Sequence, residues 1–199
     1  MERINRTEYI VGMTGIGCSV YGIRLVMELL SRGYYVRLIL SDRNQQGDFE
    51  GSGQPVNQWL EDTEKRYPGQ LIVEDNYDLE ADIGRESYVC EGMIIVPCSM
   101  SVLAQMAHGV TETLILACGE ICMKKHRKLV VVPQETPFTQ YHLENMLALA
   151  KQGVQIVPAM PAFRQLRYAT RFPPAPSEPA ASDRCPQQRL RDSKGTAGH

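Results

Sequence analysis

No stretch of this 199-residue sequence holds the apolar run of about 18 residues that a bilayer crossing needs, and its first residues, Met1-Glu2-Arg3-Ile4-Asn5-Arg6, lead into no signal-type apolar region. No membrane association is expected, and the cytoplasm is the default compartment. A large excess of charge of one sign is lacking as well. A formal net charge of -2 gives no footprint for nucleic acid or an anionic lipid surface. The six cysteines, at 18, 90, 98, 118, 122 and 185, follow neither a disulfide nor a zinc spacing, which fits reduced thiols. Cys118, Cys122 and His126 are spaced by four on one helix, but eight helical residues span about 12 Å, too far for one ion with bonds of about 2.0–2.3 Å. No resident metal is expected. Nor does a Lys-Ser/Thr pair follow the early glycines, which excludes a Walker-type nucleotide loop.

What is present is an alternation of short apolar runs with helical periods. Residues 9–13 read as a strand, 14–19 as a small-residue loop, and Val20, Ile23, Val26, Leu29 and Leu30 as a helix closed by Gly33. Residues 35–40 return as a second strand, so a right-handed βαβ unit is expected. A polar loop over 43–54 follows. Pro55 then reads as the first residue of a helix reaching Tyr67, before a strand at 71–73 and an acidic, irregular stretch from 74 to 91. Further strands are predicted at 93–96, 129–132 and 155–157, each stopped by a proline (Pro97, Pro133, Pro158). Between them lie a short helix over 102–107, a longer one with Thr111 as N-cap, and one carrying Leu143, Met146, Leu147 and Ala150. The fold class is therefore α/β, a doubly wound, Rossmann-like, mostly parallel sheet of about six strands. Residues 1–163 form the folded domain. Residues 164–199, with five prolines and seven Lys/Arg against three Asp/Glu, read as a basic, disordered tail.

In a doubly wound order the first and fourth strands are neighbours at the point where strand order reverses, and ligands sit beyond their carboxyl ends. That brings the N–H groups of residues 15–19 beside Ser99 and Ser101, a nest suited to a phosphate. The same small residues would also simply permit tight turns. A dinucleotide site is a weaker fit, because Val20 stands where the third glycine of the fingerprint belongs, although Asp42 occupies the place of the ribose-binding acid. Glu135, after the fifth strand, reads either as a general acid or base at the same rim or as a cap of the next helix. Cys98 reads as a packing residue rather than a nucleophile.

Ile94-Ile95-Val96-Pro97-Cys98-Ser99, Lys124 with its basic run, Pro133-Gln134-Glu135-Thr136-Pro137, His142-Leu143-Glu144-Asn145-Met146-Leu147 and Pro158-Ala159-Met160-Pro161-Ala162-Phe163 together resemble the UbiX/Pad-type flavin prenyltransferases. Met13-Thr14-Gly15, Tyr21-Gly22 and Arg24-Leu25 agree, so the likeness covers residues 9–163. The resemblance implies a flavoprotein fold, usually a homododecamer, that transfers a dimethylallyl group from dimethylallyl phosphate to reduced FMN, for use by a partner decarboxylase. It implies FMN contacts at Gly15, Ile16, Gly17, Ser41, Ser99, Met100, Ser101, Val102 and Gln134. Glu135 matches the acid at the reacting centre and Lys124 a lysine reaching the allylic phosphate across a subunit boundary. Arg164, where the family has tyrosine, is a candidate substrate contact. The chain departs from the pattern at Ile16-Gly17-Cys18, where Ala-Ser-Gly is usual, and at Ala117 and Gln134, where arginines are usual. Those departures motivate the alternative of an FMN-binding paralogue without transferase activity, a carrier or assembly subunit. The related cysteine decarboxylases use a histidine and Pro-x-Met-Asn. Here Pro161 follows Met160, and the only histidines are 108, 126, 142 and 199.

Overall fold

A computed structural model of the chain describes residues 7–15, 19–41 and 55–159, all within one compact unit, Met1–Ala159. The domain boundary expected at 163/164, the tail beyond it and the loop over 43–54 lie outside the described residues.

Six strands, β1 (Glu8–Met13), β2 (Tyr35–Leu40), β3 (Leu71–Glu74), β4 (Gly92–Cys98), β5 (Lys128–Pro133) and β6 (Gln155–Ile156), form one sheet in the order β3-β2-β1-β4-β5-β6. Every pairing is parallel. Among the described residues five helices, α1 (Ser19–Ser31), α2 (Val56–Arg66), α3 (Met100–Ala107), α4 (Leu114–Lys124) and α5 (Gln140–Lys151), cover it. The alternation of side chains along each strand divides the core in two. Val11, Met13, Leu38, Leu40 and Val96 meet Val26, Leu30 and Trp59 of α1 and α2 on one face. Ile10, Ile39, Met93 and Ile95 meet Leu103, Leu114, Cys118 and Leu149 of α3, α4 and α5 on the other. Burial on both faces is why the strands read as apolar runs rather than alternating ones.

Three local expectations change. Pro97 does not end β4 but lies inside it. The β4–β5 register shifts between Ile95 and Cys98, and at that irregularity a residue without an N–H is tolerated. Pro55 is the N-cap of α2 rather than its first residue. Helix α4 begins at Leu114 behind Thr113, not behind Thr111, and the Thr113 side chain makes no capping bond. Its first N–H groups go instead to a distant residue. The Asn76 carbonyl accepts from Leu114 N–H at 2.8 Å and its side-chain Oδ1 from Ile115 N–H at 3.2 Å. The stretch from 74 to 91 is irregular as expected, with one 3₁₀ turn at Asp82–Gly84, and Arg37 of β2 anchors it by ion pairs to Glu74 and Asp82. Tyr88 donates its hydroxyl to Glu8, and burial followed by that bond pushes its ionisation far above the usual phenol range.

Candidate functional site

The strand order reverses between β1 and β4, which pair directly from Tyr9↔Gly92 to Gly12↔Ile95. The carboxyl ends of β1, β4 and β5 therefore open onto one rim. Thr14, only 1% exposed, ties its parts together. Its N–H and its hydroxyl both donate to the Pro97 carbonyl, at 3.0 and 3.3 Å, and its Oγ1 accepts from Ser99 N–H at 2.9 Å. Ser41 N–H, at the end of β2, donates to the Met13 carbonyl at 3.0 Å. Thr14 is the rim residue that sequence reasoning missed. It stands in the Met13-Thr14-Gly15 stretch that agrees with the family, but nothing in the sequence assigns it a role of its own.

Ser99 is the N-cap of α3, its hydroxyl accepting from Val102 N–H at 3.3 Å. Met100 N–H donates to Glu135 Oε1 at 3.2 Å. A carboxylate from the end of β5 thus sits on the first turn of α3, where the helix dipole favours negative charge. Glu135 does not cap the helix that follows it. Helix α5 is capped by Thr139, whose side chain accepts from His142 N–H while the His142 ring accepts in return from Thr139 N–H. Gly15 adopts φ +94°, and a Cβ placed there would stand 3.5 Å from Ser99 Cβ and 3.9 Å from Gln134 Oε1. The glycine loop, the start of α3 and Gln134 are accordingly close neighbours. Below them Cys98 is buried, and burial followed by the Glu135 charge raises its thiol to about 12.

Of the residues singled out from sequence, Gly15, Ser41, Ser99, Met100, Ser101, Val102, Gln134 and Glu135 are on this rim; Ile16, Gly17 and Arg164 lie outside the described residues. Lys124 is elsewhere. It ends α4, before β5, whereas Glu135 follows β5, so the two stand at opposite ends of that strand. Lys124 is 57% exposed there and pairs with Glu120 at 3.2 Å. Cys118 and Cys122 are buried core residues and His126 is exposed. Among the described residues no helix is long and apolar enough to cross a membrane.

The Flavoprotein family model matches residues 2–172, and the doubly wound sheet with its rim at the switch point fits that class. Among the relatives, the flavin prenyltransferase UbiX of Alkalihalophilus pseudofirmus is 41% identical over 175 residues, 83% of this chain and 84% of the relative. That of Halalkalibacterium halodurans is 40% identical over 161 residues, covering 79% of this chain and 78% of the relative. The chain belongs to the UbiX family of flavin prenyltransferases. Among solved structures, AnUbiX (PadA1) in complex with FMN and dimethylallyl pyrophosphate superposes with a TM-score of 0.68 at 29% identity, over 80% of this chain and 81% of that one. A dodecameric, FMN-dependent UbiX-like decarboxylase from Escherichia coli superposes equally well, with a TM-score of 0.68 at 32% identity over 80% and 84% of the two chains.

Proposed function

We propose that this protein is a flavin prenyltransferase that transfers the dimethylallyl group of dimethylallyl phosphate to reduced FMN. The observation that carries the reading is the seating of Glu135 on Met100 N–H beside the Gly15 loop, at the switch point of a family member's sheet. The rim suits a phosphorylated, planar ligand. Its donors are a helix N-terminus, Ser99, Ser101 and Ser41, and the close approach of Gly15 to Ser99 leaves room for backbone rather than side chain. Reduced FMN supplies the nucleophilic ring that accepts the allyl group.

The chain's own residues bind, orient and move protons. Gly15, Ser99, Met100, Ser101 and Val102, with Ile16 and Gly17, hold the cofactor, and Ser41 and Gln134 orient it. Glu135 Oε1 is held by Met100 N–H, which fixes the carboxylate and leaves Oε2 to give a proton to the departing phosphate or take one from the alkylated ring. Lys124, remote from Glu135 in its own subunit, serves the phosphate of a neighbouring one, as in a homododecamer. Arg164 offers a further cation. The prenylated flavin passes to a partner decarboxylase, and the setting is the cytoplasm, in keeping with the free thiols of Cys90, Cys98, Cys118 and Cys122.

The test is to purify the protein and follow its chromophore by absorbance and mass spectrometry after dithionite reduction with dimethylallyl phosphate. A flavin heavier by one prenyl group supports the transferase. FMN bound but unmodified favours the carrier or assembly subunit, a reading motivated by Ala117 and Gln134 standing where arginines are usual. No flavin binding at all would sink the site.

A further inference from the structure

A threonine hydroxyl has one proton to give and lone pairs to receive with. That of Thr14, on a residue too buried to be a ligand contact, gives its proton to the Pro97 carbonyl at 3.3 Å and takes Ser99 N–H at 2.9 Å. Only Cys98 separates those two partners, so one side chain at the exit of β1 spans the bend where β4 turns into α3. The Ser99 N–H stands ahead of the helix and has no intrahelical acceptor of its own. Ser99 is held at its other two polar groups by α3 itself. Its hydroxyl accepts from Val102 N–H at 3.3 Å and its carbonyl from Leu103 N–H at 3.0 Å.

These bonds decide where the next donor points. The peptide unit joining Ser99 to Met100 is planar and trans, so its C=O and N–H are antiparallel. With the Ser99 carbonyl turned along the helix to Leu103, Met100 N–H points out of the amino end of α3, and there it meets Glu135 Oε1 at 3.2 Å. The Ser99 backbone, at φ -67° and ψ 148°, is the joint that sets this direction. Thr14 grips that joint from the side of β1.

We propose that Thr14 is a positioning residue for proton transfer at Glu135, acting through Ser99 and the Met100 N–H. The inference rests on the reading of Glu135 as the acid that carries a proton during prenyl transfer. When the hydroxyl is removed, the Pro97 carbonyl keeps its bond from Thr14 N–H at 3.0 Å, so the loss falls on Ser99 N–H. An N–H without an acceptor is costly, and Ser99 rotates to find another. The peptide plane beyond it turns, and the carboxylate moves with the donor that holds it. A misplacement of about 1 Å at a reacting group can slow a step about 10²-fold.

The experiment compares the full-length unaltered chain with Thr14→Val, Thr14→Ser, Glu135→Gln and the Thr14→Val/Glu135→Gln double variant, each saturated with FMN, reduced with dithionite and mixed with dimethylallyl phosphate. Thr14→Val should slow single-turnover transfer about 10- to 100-fold, while the dimethylallyl phosphate concentration giving half the maximal rate changes less than about 3-fold. Thr14→Ser keeps the oxygen and should stay within about 3-fold of the unaltered rate. In the Glu135→Gln background the valine should cost less than about 2-fold, because a residue acting through the carboxylate has nothing left to position. Losses that multiply, or a Thr14→Val rate equal to the unaltered one, overturn the proposal. A second readout needs no transfer. Deuterium exchange at the Ser99 and Met100 amides, read by mass spectrometry, should accelerate at least about 10-fold in Thr14→Val while the rest of α3 keeps its protection. Unchanged exchange there overturns the proposal as well. An unaltered chain that binds FMN and transfers nothing would overturn the transferase reading instead, with the exchange result still deciding whether Thr14 sets the Glu135 seat.

Discussion

Glu135 can be tested apart from its scaffold. Glu135→Gln keeps an acceptor for Met100 N–H but cannot shuttle a proton, so FMN binding should persist while transfer falls by about 10²- to 10⁴-fold, read from single-turnover flavin spectra. The sequence placed this acid on the rim but left its role open between catalysis and capping. Spacing does not say which helix a carboxylate serves, and the helix it meets starts 35 residues earlier. Cys98 is expected to resist iodoacetamide in the native protein at least to pH 9, since burial and then the Glu135 charge hold the thiol at about 12 and keep it protonated. Labelling at neutral pH would mean the strand end is open. Thr14→Val removes a hydroxyl that both gives and receives a hydrogen bond, leaving Ser99 N–H without its acceptor. It should cost about 1–3 kcal/mol in chemical denaturation and weaken flavin binding with it.

At the level of elements, the strands were legible because a sheet buried on both faces writes itself as apolar runs, and the helices because of their period. What escaped was whatever depended on distant partners. The α4 N-terminus was assigned to a local threonine, yet Asn76 caps it from 39 residues away. Asn76→Ala should lower stability by about 1–3 kcal/mol, as a cap bond and a buried acceptor are lost together. Gly22 of α1 carries the opposite lesson. In an isolated helix alanine would be favoured there by up to about 1 kcal/mol. Here a Cβ would come within 2.5 Å of the Val96 carbonyl, which is main chain of the buried strand β4 rather than the end of a flexible side chain. Gly22→Ala is therefore expected to destabilise by about 1–3 kcal/mol, the steric term winning, with the change read from the denaturation midpoint.

For the whole molecule, the proposed service of Lys124 to a neighbouring subunit makes assembly testable as part of the chemistry. Light scattering is expected to give twelve times the 22.4 kDa chain mass. Mixing Lys124→Ala and Glu135→Ala subunits during refolding should restore about a quarter of the activity, because random pairing gives that share of sites one intact residue from each side. No recovery would mean that each subunit works with its own residues. The lock between Thr14 and Pro97, separated by 83 residues, has a consequence for how the protein is made. A nascent chain still short of residue 97 has its glycine loop but not the strand that pins it. The flavin seat cannot exist until about half the polypeptide has left the ribosome. Flavin capture during synthesis would thus mark the closing of the central sheet.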